Sequence, residues 1–392
     1  MDLDGHCWPW AKDNTQLIAA TGSALEAIFM REQLYGSHSH TLLHDVVAFL
    51  THSIRARYDA SMNAPVLADT TAWKGADFAN DQSWVVTLNA RQITELKSAA
   101  DACIARGLRE IDIKPSDFPL PTMAKEIEAW ARELQKGRGF LLVRQLPQAW
   151  TDEQIRAAFW GMGLYLGKPI SQNSYGDMLG EVLDEGVRMG SGKVRGYRTN
   201  QHLMFHTDRC DIIGLLCQRQ SRSGGLSSIV SSTRIYQEIA ANNPDYLGPL
   251  KNGYICINVE EGGDLSLYRM PVYSVVDGVV SARILRNTVE TARRLGHTNY
   301  SEVETAALAK LDELANRDDM RLDMMLERGD MQFINNFTTF HARTEFEDHE
   351  DPKLKRHMVR LWLTAHGERR RIDHELFKDY SGIYKNLRRQ QK

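Results

Sequence analysis

His206 and Asp208 are separated by one residue in the run Phe205-His206-Thr207-Asp208, and in extended backbone residues two apart project to the same side. Read as the entrance to a strand, this spacing brings one imidazole and one carboxylate together. The tripeptide alone is a weak signal, because it also occurs by chance in solvated loops. A second histidine gives it weight: His341 ends an apolar strand in Asn335-Asn336-Phe337-Thr338-Thr339-Phe340-His341-Ala342-Arg343. Two histidines and one carboxylate are the facial set for non-haem iron(II), which leaves three coordination positions open. A chelating 2-oxo acid fills two of these and dioxygen the third. The far carboxylate of such a dianion would be buried, at a cost on the order of several kcal/mol unless a cation meets it. Arg356 and Arg360 lie four apart in Arg356-His357-Met358-Val359-Arg360-Leu361-Trp362, so on a strand both point to one face while His357, Val359 and Leu361 point to the other. Arginine suits this task because its planar fork pairs bidentately with a carboxylate and keeps its charge. Without the triad, the pair would read equally well as surface arginines.

The elements that must position these residues fall into three stretches. Residues 1–65 carry a helical pattern (Leu17, Leu25, Ile28, Phe29) and an apolar stretch from Leu42 to Leu50 without strand signals, and are read as a helical N-terminal extension. Residues 66–392 form the second domain. It begins with a strand at Trp84 to Leu88 and a helical face of Ile93, Leu96, Ala100 and Ile104. A helix patterned Met123, Ile127, Trp130, Leu134 follows, with Gly137 where a left-handed cap is expected before the strand Phe140 to Val143. Thr151 and Gln154 make a capping box for the next helix, with Ile155 and Phe159 inward.

From about residue 200 strands dominate: Ile212 to Cys217, Ser228 to Ser232, Tyr254 to Asn258, Val272 to Val276, Val279 to Leu285, Met331 to Ile334 and His357 to Leu363. Asp277-Gly278 suits a type I′ hairpin turn. A single helix is expected among these strands, capped by Ser301 and Glu304, with Val303, Ala307, Leu311 and Leu314 as its buried face. Gly224-Gly225 and Gly262-Gly263 read as turns.

Composition narrows the function classes. The 48 Lys and Arg nearly balance the 51 Asp and Glu, so nothing calls for nucleic acid or a membrane surface, and a small molecule is the expected partner. The sequence leaves a homo-oligomer open. Five cysteines without a C-x-x-C pair argue against a disulfide framework or zinc ribbon and for reduced thiols in the cytoplasm. The start MDLDGHCWPW is acidic and has no apolar core behind it, unlike a secretory signal, and no apolar run is long enough to span a bilayer.

Taken together, the motifs resemble those of the taurine dioxygenase family, which includes herbicide-degrading aryloxyacetate oxygenases and clavaminate-synthase-like enzymes. The resemblance runs from about Trp73 to Gly367. It is carried by Gly137-Arg138-Gly139-Phe140, Ser171-Gln172-Asn173, the Phe-His-Thr-Asp box, Gly224-Gly225-Leu226-Ser227, Gly329-Asp330 before Asn335-Asn336, and His341 followed by R-x-x-x-R. It implies an α+β chain with a mostly β core, a cupin-like double-stranded β-helix or jelly roll with flanking helices. It implies Fe(II), 2-oxoglutarate and O2, with His206, Asp208 and His341 as iron ligands and Arg356 on the distal carboxylate of 2-oxoglutarate. Ser227 falls where the family carries a hydroxyl, usually threonine, beside that carboxylate. Arg360 matches a second arginine that faces an anionic substrate in several members. Gln172, Asn173, Tyr175, Asn200 and Gln201 fall in segments that line the family's substrate pocket. Aspartate at position 208 leaves no vacancy for chloride, so hydroxylation is expected rather than halogenation; desaturation, epoxidation and cleavage use the same chemistry and stay open.

Two readings of other classes compete with this one. A catalytically silent binding module would show a broken triad or a missing arginine. A zinc hydrolase could use the same three ligands with water, but the inward R-x-x-x-R and the lack of a general base near the ligands count against it. His38, His40 and His44 could form a second metal site but read better as exposed imidazoles at a polar helix start. The basic tail, Arg369-Arg370-Arg371 and Arg388-Arg389, is interspersed with acids and reads as a solvated helix.

Overall fold

The computed structural model describes residues 69–173, 175–188, 196–258, 266–367 and 370. The helical reading of residues 1–65, the His38, His40 and His44 group, Gly262-Gly263 and all of the basic tail except Arg370 lie outside the described residues. Arg370 itself is not solvated: its guanidinium pairs with Asp69 and donates to the Val280 carbonyl at 2.8 Å.

The first half runs β1 (Val85–Thr87), α1 (Ala90–Ala105), α2 (Ala124–Lys136), β2 (Phe140–Arg144), α3 (Asp152–Leu166), β3 (Gly167–Pro169), β4 (Leu179–Val182), β5 (Leu203–His206), β6 (Ile212–Arg219), β7 (Ser223–Gly224) and β8 (Ser227–Ser231). It continues with α4 (Ser232–Asn242), α5 (Leu247–Asn252), β9 (Tyr254–Asn258), β10 (Ser266–Met270), β11 (Tyr273–Val276), β12 (Val279–Ala282), α6 (Arg286–Arg294) and α7 (Glu302–Asn316). The last stretch is β13 (Arg321–Met324), β14 (Met331–Asn335), β15 (Thr339–Arg343), β16 (Phe346–Glu347) and β17 (His357–Ala365).

Two sheets form the core. The larger has the order β1-β2-β14-β6-β17-β3, with β4 also paired to β17, and the smaller β13-β8-β15-β5. Residues of both line one cavity, so the sheets face each other across it as in a jelly roll. The outer face of the larger sheet is covered by α1, α2 and α3. There Leu96, Ile127, Trp130 and Phe159 pack with Leu216, Phe333, Val359 and Leu361 from the strands in one buried cluster. Truncating any of its leucines to alanine would cost about 2–5 kcal/mol. The inward and outward alternation expected of the last strand is thus present, with Val359 and Leu361 under the helices and Arg360 and Trp362 at the cavity.

Several local expectations hold for their stated physical reasons. Thr151 and Gln154 exchange the two bonds of a capping box at α3, and Ser301 and Glu304 do the same at α7. Asp277 and Gly278 have φ of 51° and 77° between paired Val276 and Val279, the double positive φ of a type I′ turn.

Others need correction. Gly137 is not left-handed (φ −98°); the positive φ falls at Gly139 (87°), where a Cβ would stand 2.4 Å from Thr338 Oγ1. Among the described residues, four α-helices, not one, follow residue 200. Of the three unforeseen ones, α4 starts at the very residue after β8, so two periods abut without a turn signal, although Ser231 caps it and Ile235, Tyr236 and Ile239 bury one face. α6 buries only Arg286, Val289 and Ala292, too sparse an apolar stripe to read as amphipathic, and α5 is a six-residue piece. In α7 the buried face is Ala307, Leu308, Leu311, Leu314 and Ala315, whereas Val303, in the first turn, is 42 % exposed.

Candidate active site

β5 and β15 are antiparallel neighbours with His206 directly opposite His341, which sets the two imidazole rings 4.2 Å apart. β5 ends at His206, so Asp208 does not reach the site by strand alternation as expected. It is turned in by the loop that follows. The Thr207 N–H donates to the Ile284 carbonyl at 2.9 Å, and the Asp208 N–H donates to Asn336 Oδ1 at 3.1 Å. Asn336 Nδ2 in turn donates to Cys210 Sγ at 2.9 Å, so the second asparagine of the Asn335-Asn336 pair clamps the loop that carries the carboxylate. One ligand atom from each of His206, Asp208 and His341 then lies within 4.8 Å of the others.

The protonation pattern suits metal binding. His206 Nδ1 lies 2.8 Å from the Met204 carbonyl; since a carbonyl only accepts, Nδ1 carries the proton and Nε2 keeps its lone pair. Burial lowers the pKa of His206. Burial, with the neighbouring His206, lowers that of His341 to about 3, so both rings are neutral. Burial opposes ionisation of Asp208, but the Arg360 guanidinium and the Trp362 N–H outweigh it and hold the carboxyl below its usual range. Trp362 Nε1 donates to Asp208 Oδ2 at 3.0 Å, and Arg360 Nη1 stands 3.2 Å from the same oxygen. Two neutral nitrogens and one carboxylate leave a divalent cation the charge it lacks, and His341 Nδ1 is buried without a hydrogen-bond partner. The residues fit iron(II).

The triad forms one wall of a cavity of about 830 Å³, to which Ser227, Arg343, Arg356 and Arg360 also belong. That is ample for two small molecules side by side. Arg356 and Arg360 therefore share a cavity, but in different states. Arg360 is engaged: besides Asp208, its Nε donates to Gln172 Oε1 at 2.8 Å, and its guanidinium lies between the rings of Tyr197 (4.7 Å) and Trp362 (4.8 Å). Arg356 is open, 7 % exposed with Nη1 unpartnered. Gly225, at φ 75°, makes room for it, because a Cβ there would stand 3.1 Å from Arg356 Nε.

Apart from Arg360, the residues expected to touch substrate do not line the cavity. Gln172 is 2 % exposed and holds Arg360 through its Oε1 and, by Nε2, the Arg360 carbonyl at 2.7 Å. Asn173 caps its own turn with Asp177, and Tyr175 is 75 % exposed. Asn200 accepts from Arg188, and the Gln201 carbonyl accepts from Arg343. The polar lining away from the triad comes instead from Arg209, Tyr268 and one side of α6, including Arg286, Asn287, Glu290 and Arg294. Sequence reasoning missed this wall because it missed α6.

Two histidines on neighbouring strands of the smaller sheet and a carboxylate on the loop that follows one of them, with a buried arginine of unmet Nη1 lining the same cavity, define a mononuclear non-haem iron oxygenase. The sequence profile of the taurine catabolism dioxygenase TauD, TfdA family matches residues 105–362, well over half of the chain, and the chain belongs to that family. It is accordingly an oxidoreductase, an iron(II)- and 2-oxoglutarate-dependent dioxygenase. The chain is 30 % identical over 306 residues to FR-33289 synthase of Streptomyces rubellomurinus, covering 76 % of this chain and 90 % of that one. It is 26 % identical over 336 residues to the taurine hydroxylase-like protein SAT17 of Stachybotrys chartarum, covering 82 % and 86 %. The solved structure of asparagine oxygenase in complex with Fe(II), 2S,3S-3-hydroxyasparagine and succinate has a TM-score of 0.56 at 17 % identity, over 72 % of this chain and 94 % of that one, a likeness of fold. No helix among the described residues is long and apolar enough to cross a membrane.

Proposed function

We propose that this dioxygenase hydroxylates a C–H bond of a small, polar, anionic organic molecule in the cytoplasm, with His206, Asp208 and His341 as the iron ligands and Arg356 and Ser227 on the distal carboxylate of 2-oxoglutarate. The observation that carries this reading is the open Nη1 of buried Arg356 in the cavity that the triad walls. O2 is the oxidant: iron held by the triad would activate it, with one oxygen atom ending in succinate as 2-oxoglutarate loses carbon dioxide and the other in the hydroxylated substrate. The chain's own residues supply the rest. Met204 fixes the tautomer of His206, Arg360 and Trp362 keep Asp208 ionised and aimed, and Arg356 with Ser227 sets the orientation of the diacid. The cationic wall with Arg209 and α6 favours an anionic substrate. Hydrolysis on zinc is disfavoured by a specific observation: among the described residues, the only carboxylate lining the cavity besides Asp208 is Glu290, and it is already paired with Arg286 and Arg293.

The test is succinate release with iron(II), 2-oxoglutarate and a panel of carboxylates, sulfonates, phosphonates and amino acids. At least one anionic compound should raise succinate above the uncoupled background and yield a product heavier by one oxygen. The reading is overturned if no member of the panel does so, or if zinc-loaded protein outperforms iron. The same reading takes residues 66–392 as the catalytic unit, so a chain starting at residue 66 should fold and keep its iron site; a chain that cannot fold would move the boundary, and a change in size on gel filtration would make the extension a self-association element.

A further inference from the structure

We infer that Arg343, two residues beyond His341, is a second binding residue for the distal carboxylate of the 2-oxo diacid, forming with Arg356 a two-guanidinium clamp across Phe346; this rests on the functional reading above. β15 pairs with β8 so that Arg343 stands directly opposite Ser227, and cross-strand partners of this kind have Cβ atoms about 4.5–5.5 Å apart on the same sheet face. That face is the one His341 uses, and Arg343, Ser227 and Arg356 all line the cavity. The guanidinium of Arg343 lies 4.7 Å from the Phe346 ring centroid and that of Arg356 5.0 Å from it, so a single ring bears both cations. A lone arginine would suffice for a simple counter-charge. Two on one ring make a socket.

The donors of Arg343 are fixed in a way that leaves one free. Nε donates to the Thr344 carbonyl at 3.3 Å, and Nη2 donates to the carbonyls of Thr199 (3.0 Å) and Gln201. Nη1 is buried without a partner, as is Nη1 of Arg356, in residues only 6 % and 7 % exposed. Buried, unmet donors on charged groups are costly unless something completes them. No side chain among the described residues does so. Asp348 accepts the Arg356 backbone N–H at 2.7 Å and its other oxygen is unpartnered, while Asp184 accepts the Gly186 N–H at 3.0 Å; neither carboxylate bonds either guanidinium. The two like charges on Phe346 also repel. An incoming carboxylate relieves both problems at once, since its two oxygens can each accept from one Nη1, and the Ser227 hydroxyl, which donates to Gln332 Oε1 at 3.2 Å, would turn from that partner to donate to one of them.

Arg343 also tethers the Thr199–Gln201 backbone, so the experiment must separate a structural role from a binding one. Anaerobic titrations of the iron(II) protein with 2-oxoglutarate and with 2-oxopentanoate, which has the same chain length but no distal carboxylate, make that separation. In the wild type 2-oxoglutarate should bind far more tightly. Arg343→Gln should weaken 2-oxoglutarate about tenfold or more and leave 2-oxopentanoate nearly unchanged, and Arg343→Lys should recover part of the loss. Equal weakening of both acids, loss of iron in both variants, or an undiminished preference for 2-oxoglutarate would each overturn the assignment. A wild type that binds neither acid would instead refute the functional reading on which it rests.

Discussion

The two faces of β17 carry similar charges and put them to opposite uses. On the outward face His357 Nδ1 accepts from Arg219 at 2.9 Å while Nε2 meets Glu181 at 2.5 Å. Glu181 is bonded also by Arg156 at 2.8 Å, Arg156 by Glu110 at 2.6 Å, and Arg219 by Asp152 at 3.0 Å. Each of these charges meets an opposite charge or a hydrogen-bond acceptor within the chain, and the network ties β4, β6, β17 and α3 together. On the inward face Arg360 is likewise satisfied by Asp208 and Gln172, but Arg356 keeps a buried donor unmet. Residue type and strand do not distinguish structural charge from ligand-binding charge here. Completion of hydrogen bonding does, because a closed network needs nothing further and an open one is costly until a ligand fills it.

The largest effects should come from the metal wall. His206→Ala, Asp208→Ala and His341→Ala should each abolish stoichiometric iron(II) binding and reduce turnover to background with the fold intact; undiminished iron by metal analysis in any one would break the triad. Next is Arg356→Ala, which removes the counter-charge of a buried carboxylate at about 2–5 kcal/mol, or a loss of 2-oxoglutarate affinity of about 30-fold or more. Lysine there should rescue only partly, since a point charge lacks the bidentate fork. Arg360→Ala sharpens the contrast. A residue that served substrate alone would leave the metal untouched, whereas one that steadies Asp208 should lower iron affinity about 10- to 100-fold, as loss of an outer partner of a ligand does, with smaller changes in 2-oxoglutarate binding. Metal titration of the two arginine variants side by side reads this directly.

How much of this was legible in the sequence depends on whether the determinant was local. The Asp277-Gly278 turn, the capping boxes and the alternation of β17 were legible because each rests on residues a few positions apart. The convergence of His206, Asp208 and His341 was legible as a set of chemical types, though the bend that delivers Asp208 was not, since it depends on Asn336, 128 residues away. The tie of Gln172 to Arg360 was illegible for the same reason: the two are 188 residues apart, and nothing near Gln172 announces it. Arg343 is a different case. It sits two residues after His341, and the alternation argument applied to Arg356 and Arg360 would have placed it on the ligand face; the signal was present and unused. The α6 wall left almost no signal, with only Val289 and Ala292 as buried apolar residues in nine.

The smallest effect expected lies on the outward face, and it completes the comparison. Burial alone would raise the Glu181 carboxyl, but hydrogen bonds from His357 and Arg156 outweigh it and hold the pKa down to about 2, against an ordinary 4.5. A carboxyl whose folded pKa is depressed contributes stability above its unfolded pKa and loses it as the pH falls toward the folded one. The contribution of Glu181 should therefore be complete above about pH 5 and fade between pH 4.5 and about 2. With 43 % of the side chain exposed, solvent screening reduces it to about 1 kcal/mol, a shift of about 2–4 °C in melting temperature. Glu181→Gln should thus melt slightly below wild type at pH 7 and converge with it as the pH approaches 3, while binding iron and 2-oxoglutarate as the wild type does. A deficit that persists undiminished into acid would assign the loss to packing instead of charge, and a loss of iron or 2-oxoglutarate affinity would show that the two faces of β17 are not independent.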